Sequence, residues 1–117
     1  MQMFPVRVVF VESDYAWAAG FFDGEGTTSV LKAQRDKYSY IRMGISQKDP
    51  ECLYRFQAIF NLGKIYKSNT RDIYSWNCYK YNDVLDVYTK MKPFLSNVKQ
   101  RQFEVALNTV KENTHDS

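Results

Sequence analysis

Trp17-Ala18-Ala19-Gly20-Phe21-Phe22-Asp23-Gly24-Glu25-Gly26 is the stretch that decides how this chain is read. It predicts a short helix ending in a glycine-hinged turn that carries two carboxylates. Ala16, Ala19, Gly20 and Asp23 fall at i, i+3, i+4 and i+7, so they share one helical face. Trp17 and Phe21 lie on another face, with Tyr15 and Phe22 roughly opposite. The aromatic sides suit burial in the domain's own core. The small side lets another backbone approach closely. Gly24 and Gly26 are expected to let the chain turn sharply. Glu25 then stands between them, within reach of a metal. Pairing two such helices would bring two acidic sites together. The plainer reading is an ordinary helix with a glycine-rich end, followed by a strand.

Working outward, Ser13 or Asp14 is the expected cap of this first helix, which should end near Asp23. Thr27 to Gln34 reads as a strand, rich in Thr, Val and Leu. Arg35-Asp36-Lys37 is a charged turn. Tyr38 to Gln47 alternates clearly: Ser39, Ile41, Met43 and Ile45 on one side, and Tyr38, Tyr40, Arg42, Gly44 and Ser46 on the other. Asp49 and Pro50 open a helix with Leu53, Phe56, Ile59 and Phe60 at helical spacing, closed by Asn61-Leu62-Gly63. Lys64 to Ser68 and Ile73 to Tyr81 read as two more strands around a polar turn. A helix capped by Asn82 or Asp83 stops before Pro93. A last helix carries Val98, Phe103, Val105, Ala106, Leu107 and Val110 as its apolar positions, before a polar tail. The order α-β-β-α-β-β-α-α, with helices on one face of a four-stranded sheet, makes an α+β domain.

The motif from Ala18 to Gly26 resembles the signature of the LAGLIDADG homing endonucleases. Ala18 stands for the leading leucine, Phe21 and Phe22 fill the apolar positions, and Gly24-Glu25 replaces Ala-Asp. Glu is a common variant at that acidic position. The element order agrees with one subunit of that family. The resemblance implies an antiparallel, saddle-shaped sheet astride DNA, with the helices behind. It spans roughly 13–111, read as the single endonuclease domain. Residues 1–12 are read as an N-terminal arm or added strand, and 112–117 as the tail.

Composition narrows the chemistry. A chain of 117 residues makes one core and should bury roughly two thirds of its unfolded surface. It is aromatic-rich, with nine Tyr, eight Phe and two Trp. Its net charge of +3 is too small to demonstrate a polyanion partner, so the placement of charge matters more. Cys52 and Cys78 are the only cysteines and His115 the only histidine, which excludes zinc fingers and disulfide scaffolds. Free thiols suit an intracellular, reducing compartment. No apolar run approaches a membrane span, so no membrane partner is expected. Met1 to Glu12 lacks the pattern of a secretory signal.

Phosphodiester hydrolysis requires an activated water and a stabilised leaving oxygen, and divalent ions held by carboxylates supply both. Glu25 is the first candidate ligand, together with the carbonyl of Gly24. The ion is expected to be Mg2+, or Mn2+ or Ca2+ in its place. Asp23 is either a ligand or a group that caps and orients the helix ends. The resemblance implies two further catalytic groups. Gln47, followed by Lys48, matches a polar residue that lies near the attacking water. The segment 93–102 matches a proline-led stretch delivering a basic residue, with Lys99 the closest match and Arg101 second. Polar strand ends and solvated helix surfaces are the plainer readings of both.

The outward sheet face should supply DNA contacts: Tyr38, Tyr40, Arg42 and Ser46 from the second strand, Tyr66 and Ser68 from the third, Ser75 and Asn77 from the fourth. Lys32 and Gln34 are the expected wet positions of the first strand. Arg42 can donate a bidentate pair to guanine and Asn77 can read adenine. Lys37, Lys48, Lys64, Lys67 and Arg71 are candidate phosphate contacts. One copy of the motif implies one half-site, so a homodimer through Ala16, Ala19, Gly20 and Asp23 is expected to bind double-stranded DNA. The alternatives are a splicing maturase of the same fold bound to intron RNA, a non-catalytic DNA-binding regulator, and an unrelated α+β module whose aromatic surface binds protein.

Overall fold

The structure, a computed structural model, describes residues 10–32 and 39–114. Gln34, Lys37 and Tyr38 lie outside the described residues, as do residues 1–9 of the expected arm and 115–117 of the tail. The elements are α1 (Glu12–Glu25), β1 (Gly26–Lys32), β2 (Ser39–Gln47), α2 (Glu51–Phe60), β3 (Lys64–Lys67), β4 (Tyr74–Cys78), α3 (Tyr81–Met91), a 3-10 turn (Lys92–Phe94) and α4 (Asn97–Thr114). This is the expected α+β order. The sheet is antiparallel throughout, in spatial order β1-β2-β4-β3. α4 packs under β1 and β2, and α2 under β3 and β4.

Local chemistry explains most boundaries and corrects some. α1 is capped by Asp14 from inside the helix: its Oδ2 accepts the Val11 N–H at 2.9 Å. The helix also runs past Asp23 to Glu25, so Gly24 and Glu25 belong to its last turn. Gly26 does not act as a hinge. Its φ is −87°, open to any residue. A Cβ there would stand 2.3 Å from the Phe22 ring, so Gly26 is required by close approach. Asp49 Oδ1 accepts the Glu51 N–H at 3.0 Å and so caps α2. Asn61 (φ 53°) and Gly63 (φ 79°) end α2 in left-handed geometry. No side chain caps α3; Val84 N–H instead closes on the Lys80 carbonyl.

The core sits between the sheet and the helices. Phe22 of α1 lies 5.2 Å from Phe103 and 6.3 Å from Phe56, ring to ring, and Phe56 meets Trp76 edge-on at 4.8 Å. All four are fully buried. Trp76 donates its indole N–H to the Leu62 carbonyl at 2.9 Å. Cys78 is also a core side chain, and burial first, then the nearby Asp83 carboxylate, pushes its thiol up to about 11. Val98 and Val105 of α4, expected in the core, are instead exposed. They line a groove against Thr28 and Val30 of β1. No helix among the described residues is long and apolar enough to cross a membrane.

Candidate active site

The end of α1 is where the candidate catalytic residues converge. Gly26 follows Glu25 directly and pairs with Ile45, which brings the helix terminus beside the end of β2. Gln47 is the last residue of β2. It shares the helix-side phase of Met43 and Ile45, and so faces the α1 layer rather than the outer face. Glu25, Gln47, Ser46, Lys48, Asp49 and Ile73 line one cavity of about 470 Å³.

Lys99 reaches the residue after Glu25 from α4, beside that cavity and not in its lining. Its Nζ donates to the Gly26 carbonyl at 2.6 Å, one residue past Glu25. That reach depends on how α4 begins. Ser96 caps α4, its Oγ accepting the Lys99 N–H at 3.2 Å. Asp23 holds the cap in turn. Its carboxylate accepts both the Ser96 N–H (3.0 Å to Oδ2) and the Ser96 hydroxyl (2.9 Å to Oδ1). Asp23 therefore ties α1 to the start of α4, the turn from which Lys99 projects. Arg101 lies on another side, in the groove between α4 and β1.

Among the described residues no three His, Cys, Asp or Glu side chains cluster as a metal site. At the end of α1 the exposed Glu25 carboxylate stands beside an exposed glycine, Gly24, and Asp49, also exposed, lines the same cavity. A Cβ on Gly24 would meet nothing within 4 Å. A carboxylate and a backbone carbonyl are oxygen donors of the kind a hard cation takes, and they fill part of its coordination shell.

The exposed small-residue face of α1 differs from the expected one. Ala19 is wholly buried in the core and Asp23 is bound to Ser96, so neither belongs to it. Ala16, Gly20 and Gly24 form the open stripe, with no heavy atom within 4 Å of a Cβ at either glycine. Trp17 stacks on Phe21 at 5.2 Å beside it, under the Arg55 guanidinium at 3.9 Å.

Register settles the outer face of the sheet. Arg42, Gly44 and Ser46 pair with Ser29, Thr27 and the β4 residues Asn77 and Ser75. Tyr66 and Lys64 pair with Ser75 and Asn77 and share that face. Tyr40 meets Tyr79 at 6.2 Å. Ser46 and Ser75 share a hydrogen bond of 2.8 Å. Lys32 is exposed, as expected, but it pairs with the buried Ser39 and so lies on the helix-side phase, not on the outer face. Thr27, Ser29 and Leu31 take the outer face of β1 instead. Polarity alone could not find them, because both phases of that strand mix apolar and polar residues. Tyr79 continues the alternation of Ser75 and Asn77 and could have been read. Ser68 lies past β3, where its Oγ accepts the Thr70 and Arg71 N–H groups and shapes the turn. Lys48, Lys64, Lys67 and Arg71 are exposed.

The sequence model of the LAGLIDADG endonuclease family matches residues 18–112. The chain belongs to the LAGLIDADG endonuclease family. Solved structures share its fold. The homing endonuclease I-CvuI, in complex with a DNA target, matches with a TM-score of 0.78 and 23% identity, over 90% of this chain and 71% of its own. The archaeal intron-encoded homing endonuclease I-Vdi141I, complexed with DNA, matches at 0.75 and 23%, over 90% and 71%. The longer I-GzeII matches at 0.70 and 23%, over 99% of this chain and 42% of its own. No curated protein matches. Within this LAGLIDADG chain the match begins in α1, at Ala18, and continues through the sheet to α4.

Proposed function

We propose that this LAGLIDADG protein is a homing endonuclease. It acts as a homodimer and makes a divalent-metal-dependent double-strand break in a long, near-palindromic DNA site. The observation that carries this reading is the convergence of Glu25 and Gln47 in one cavity, with the Lys99 ammonium on the Gly26 carbonyl at 2.6 Å.

Glu25, with the Gly24 carbonyl, would hold a magnesium ion, which lowers the pKa of bound water and neutralises the leaving oxygen. Gln47 orients the attacking water through its amide. Lys99 places a positive charge where the phosphate becomes more negative. Two α1 helices meeting along Ala16, Gly20 and Gly24 would bring two Glu25 carboxylates together, an arrangement that repels itself unless cations lie between them. Each centre then serves one strand. The outer face of the sheet, with Arg42, Ser46, Tyr66 and Ser75, supplies the DNA contacts.

The test is cleavage of the DNA that flanks this gene's own insertion site, with and without Mg2+. Wild type should cut only with the metal. Glu25→Gln should bind the same DNA with near wild-type affinity and not cut it, because binding rests on the sheet and phosphates. Metal-dependent nicking retained by Glu25→Gln removes Glu25 from the mechanism. Light scattering should give a dimer for wild type and a monomer for Gly20→Leu. A wild type that stays monomeric even on DNA refutes the two-centre arrangement.

A further inference from the structure

Arg42 and Asn77 stand opposite each other across the outer face of the sheet, on diagonal positions of β2 and β4. The Arg42 Nε–H donates to Asn77 Oδ1 at 3.1 Å. Nε can only donate, so this bond fixes the amide of Asn77 with its oxygen toward the arginine. Asn77 is 8% exposed, whereas Arg42 is half-buried. Bidentate reading of adenine requires both amide atoms to reach a base edge. Asn77 has its oxygen turned to the arginine and its side chain largely sunk in the sheet, so to read adenine it would have to share that oxygen with Arg42 and reach out of the sheet.

The residue between them has a part in this. Gly44 pairs with Asn77 on the same face. A Cβ there would stand 2.7 Å from Asn77 Oδ1 and 3.6 Å from Arg42 Nη2. The missing side chain is what lets the guanidinium lie across the strand and meet the amide. With Nε occupied, the two Nη groups remain as a forked pair of donors. A fork of two donors matches the two acceptors, O6 and N7, that guanine presents in the major groove.

We infer that Arg42, Asn77 and Gly44 form one guanine-reading unit, in which Arg42 touches the base, Asn77 is a positioning residue and Gly44 supplies clearance. The inference rests on the reading of the sheet as the DNA-facing surface. Its place in the target follows from strand geometry. Arg42 lies four residues along β2 from Ser46, which lines the cavity of Glu25. With β2 laid along the groove, ~3.3 Å per residue gives about 13 Å, or roughly four base steps further from the cut. Each half-site should therefore carry one guanine outboard of the position that Ser46 faces, on the order of four base pairs away.

The experiment is selection of bound duplexes from a library randomised symmetrically in both half-sites, with Ca2+ present, for wild type, Arg42→Lys, Asn77→Ala, the double variant and Gly44→Ala. Wild type should enrich guanine at one position per half-site. Arg42→Lys keeps the charge and loses the fork, so discrimination at that position should fall roughly 5- to 100-fold while sequence-independent binding persists. Asn77→Ala should lose preference at the same position, and the double variant should be no worse than either single one. Gly44→Ala should produce the same loss with both partners still present, which covers the case in which Asn77→Ala fails to fold. Guanine preference unchanged in Arg42→Lys overturns the inference while leaving the DNA reading intact. Asn77→Ala altering a different position from Arg42→Lys overturns the coupling. A wild type that enriches no sequence overturns the DNA-facing reading, and this inference with it.

Discussion

At the end of α1, the candidate catalytic side chains are tied to the main chain; on the outer face of the sheet the side chains hold one another. Lys99 donates to a carbonyl, that of Gly26, and Asp23 accepts a backbone N–H, that of Ser96, as well as the Ser96 hydroxyl. Across the sheet, Arg42 bonds Asn77, Ser46 bonds Ser75, and Tyr40 leans on Tyr79. A group anchored to backbone keeps its place when a neighbouring side chain changes. A group anchored to another side chain moves when that partner is replaced. The first arrangement suits chemistry, where a shift of about 1 Å can cost on the order of 100-fold in rate. The second suits recognition, because the reading surface can be altered in pairs without moving the centre. Both meet on β2, where Gln47 turns to the helix side and Ser46, one residue earlier, to the outer face.

The comparison breaks most visibly at Lys99. Lys99→Met keeps the apolar stem and removes the ammonium, which lies 5.7 Å from the centre of the Phe22 ring. Cleavage should fall by about 10²–10³-fold, the usual cost of losing one donor to developing negative charge. Affinity for DNA should stay near wild type, measured by titration in Ca2+. An equal loss in both would mean that Lys99 belongs to the binding surface.

Gly26→Ala tests the anchor itself. The added Cβ would stand 2.3 Å from a ring carbon of Phe22, which is fully buried against Phe103, so the strand or the ring must move. Overpacking of this kind costs roughly 1–3 kcal/mol of stability, read by denaturant unfolding. The carbonyl that holds Lys99 moves with the strand, so cleavage should drop beyond what the loss of folded protein explains. A stable variant with full activity would show that backbone anchoring at this point does not matter.

These contrasts also explain what could be read before the structure was known. The element order and the core phase of β2 were legible, because Ser39, Ile41, Met43 and Ile45 alternate cleanly with polar neighbours. The residues gathered at the end of α1 were legible through the motif and its family. Lys32 was misplaced because β1 mixes polar and apolar side chains on both phases, so only its register against β2 decides the facing. Ala19 was misplaced for a related reason. Small residues at i, i+3 and i+4 define one face, but not whether that face meets the core or a partner. Asp23 was left between two roles, and its capping role required the fold: the Ser96 it binds lies 73 residues further along. Val98 and Val105 follow helical spacing yet sit exposed over β1, where pattern alone gives no sign of an open groove.

The smallest expected effect falls at Ser46, where the two regions touch. Ser46 lines the cavity of Glu25, but its hydroxyl bonds Ser75 on an exposed surface. Water can replace either partner there, so Ser46→Ala should change stability by no more than about 0.5 kcal/mol. If recognition and chemistry are separate, the turnover rate on the preferred site should also hold. Only base preference near the cut should change, because removing a hydroxyl donor and acceptor removes its contact with a base edge. Single-turnover cleavage across a small set of sites, varied at that position alone, gives both quantities at once. A fall in rate at every site would place Ser46 with Gln47 in the centre, and the outer reading face would then end one outward residue earlier on β2, at Gly44.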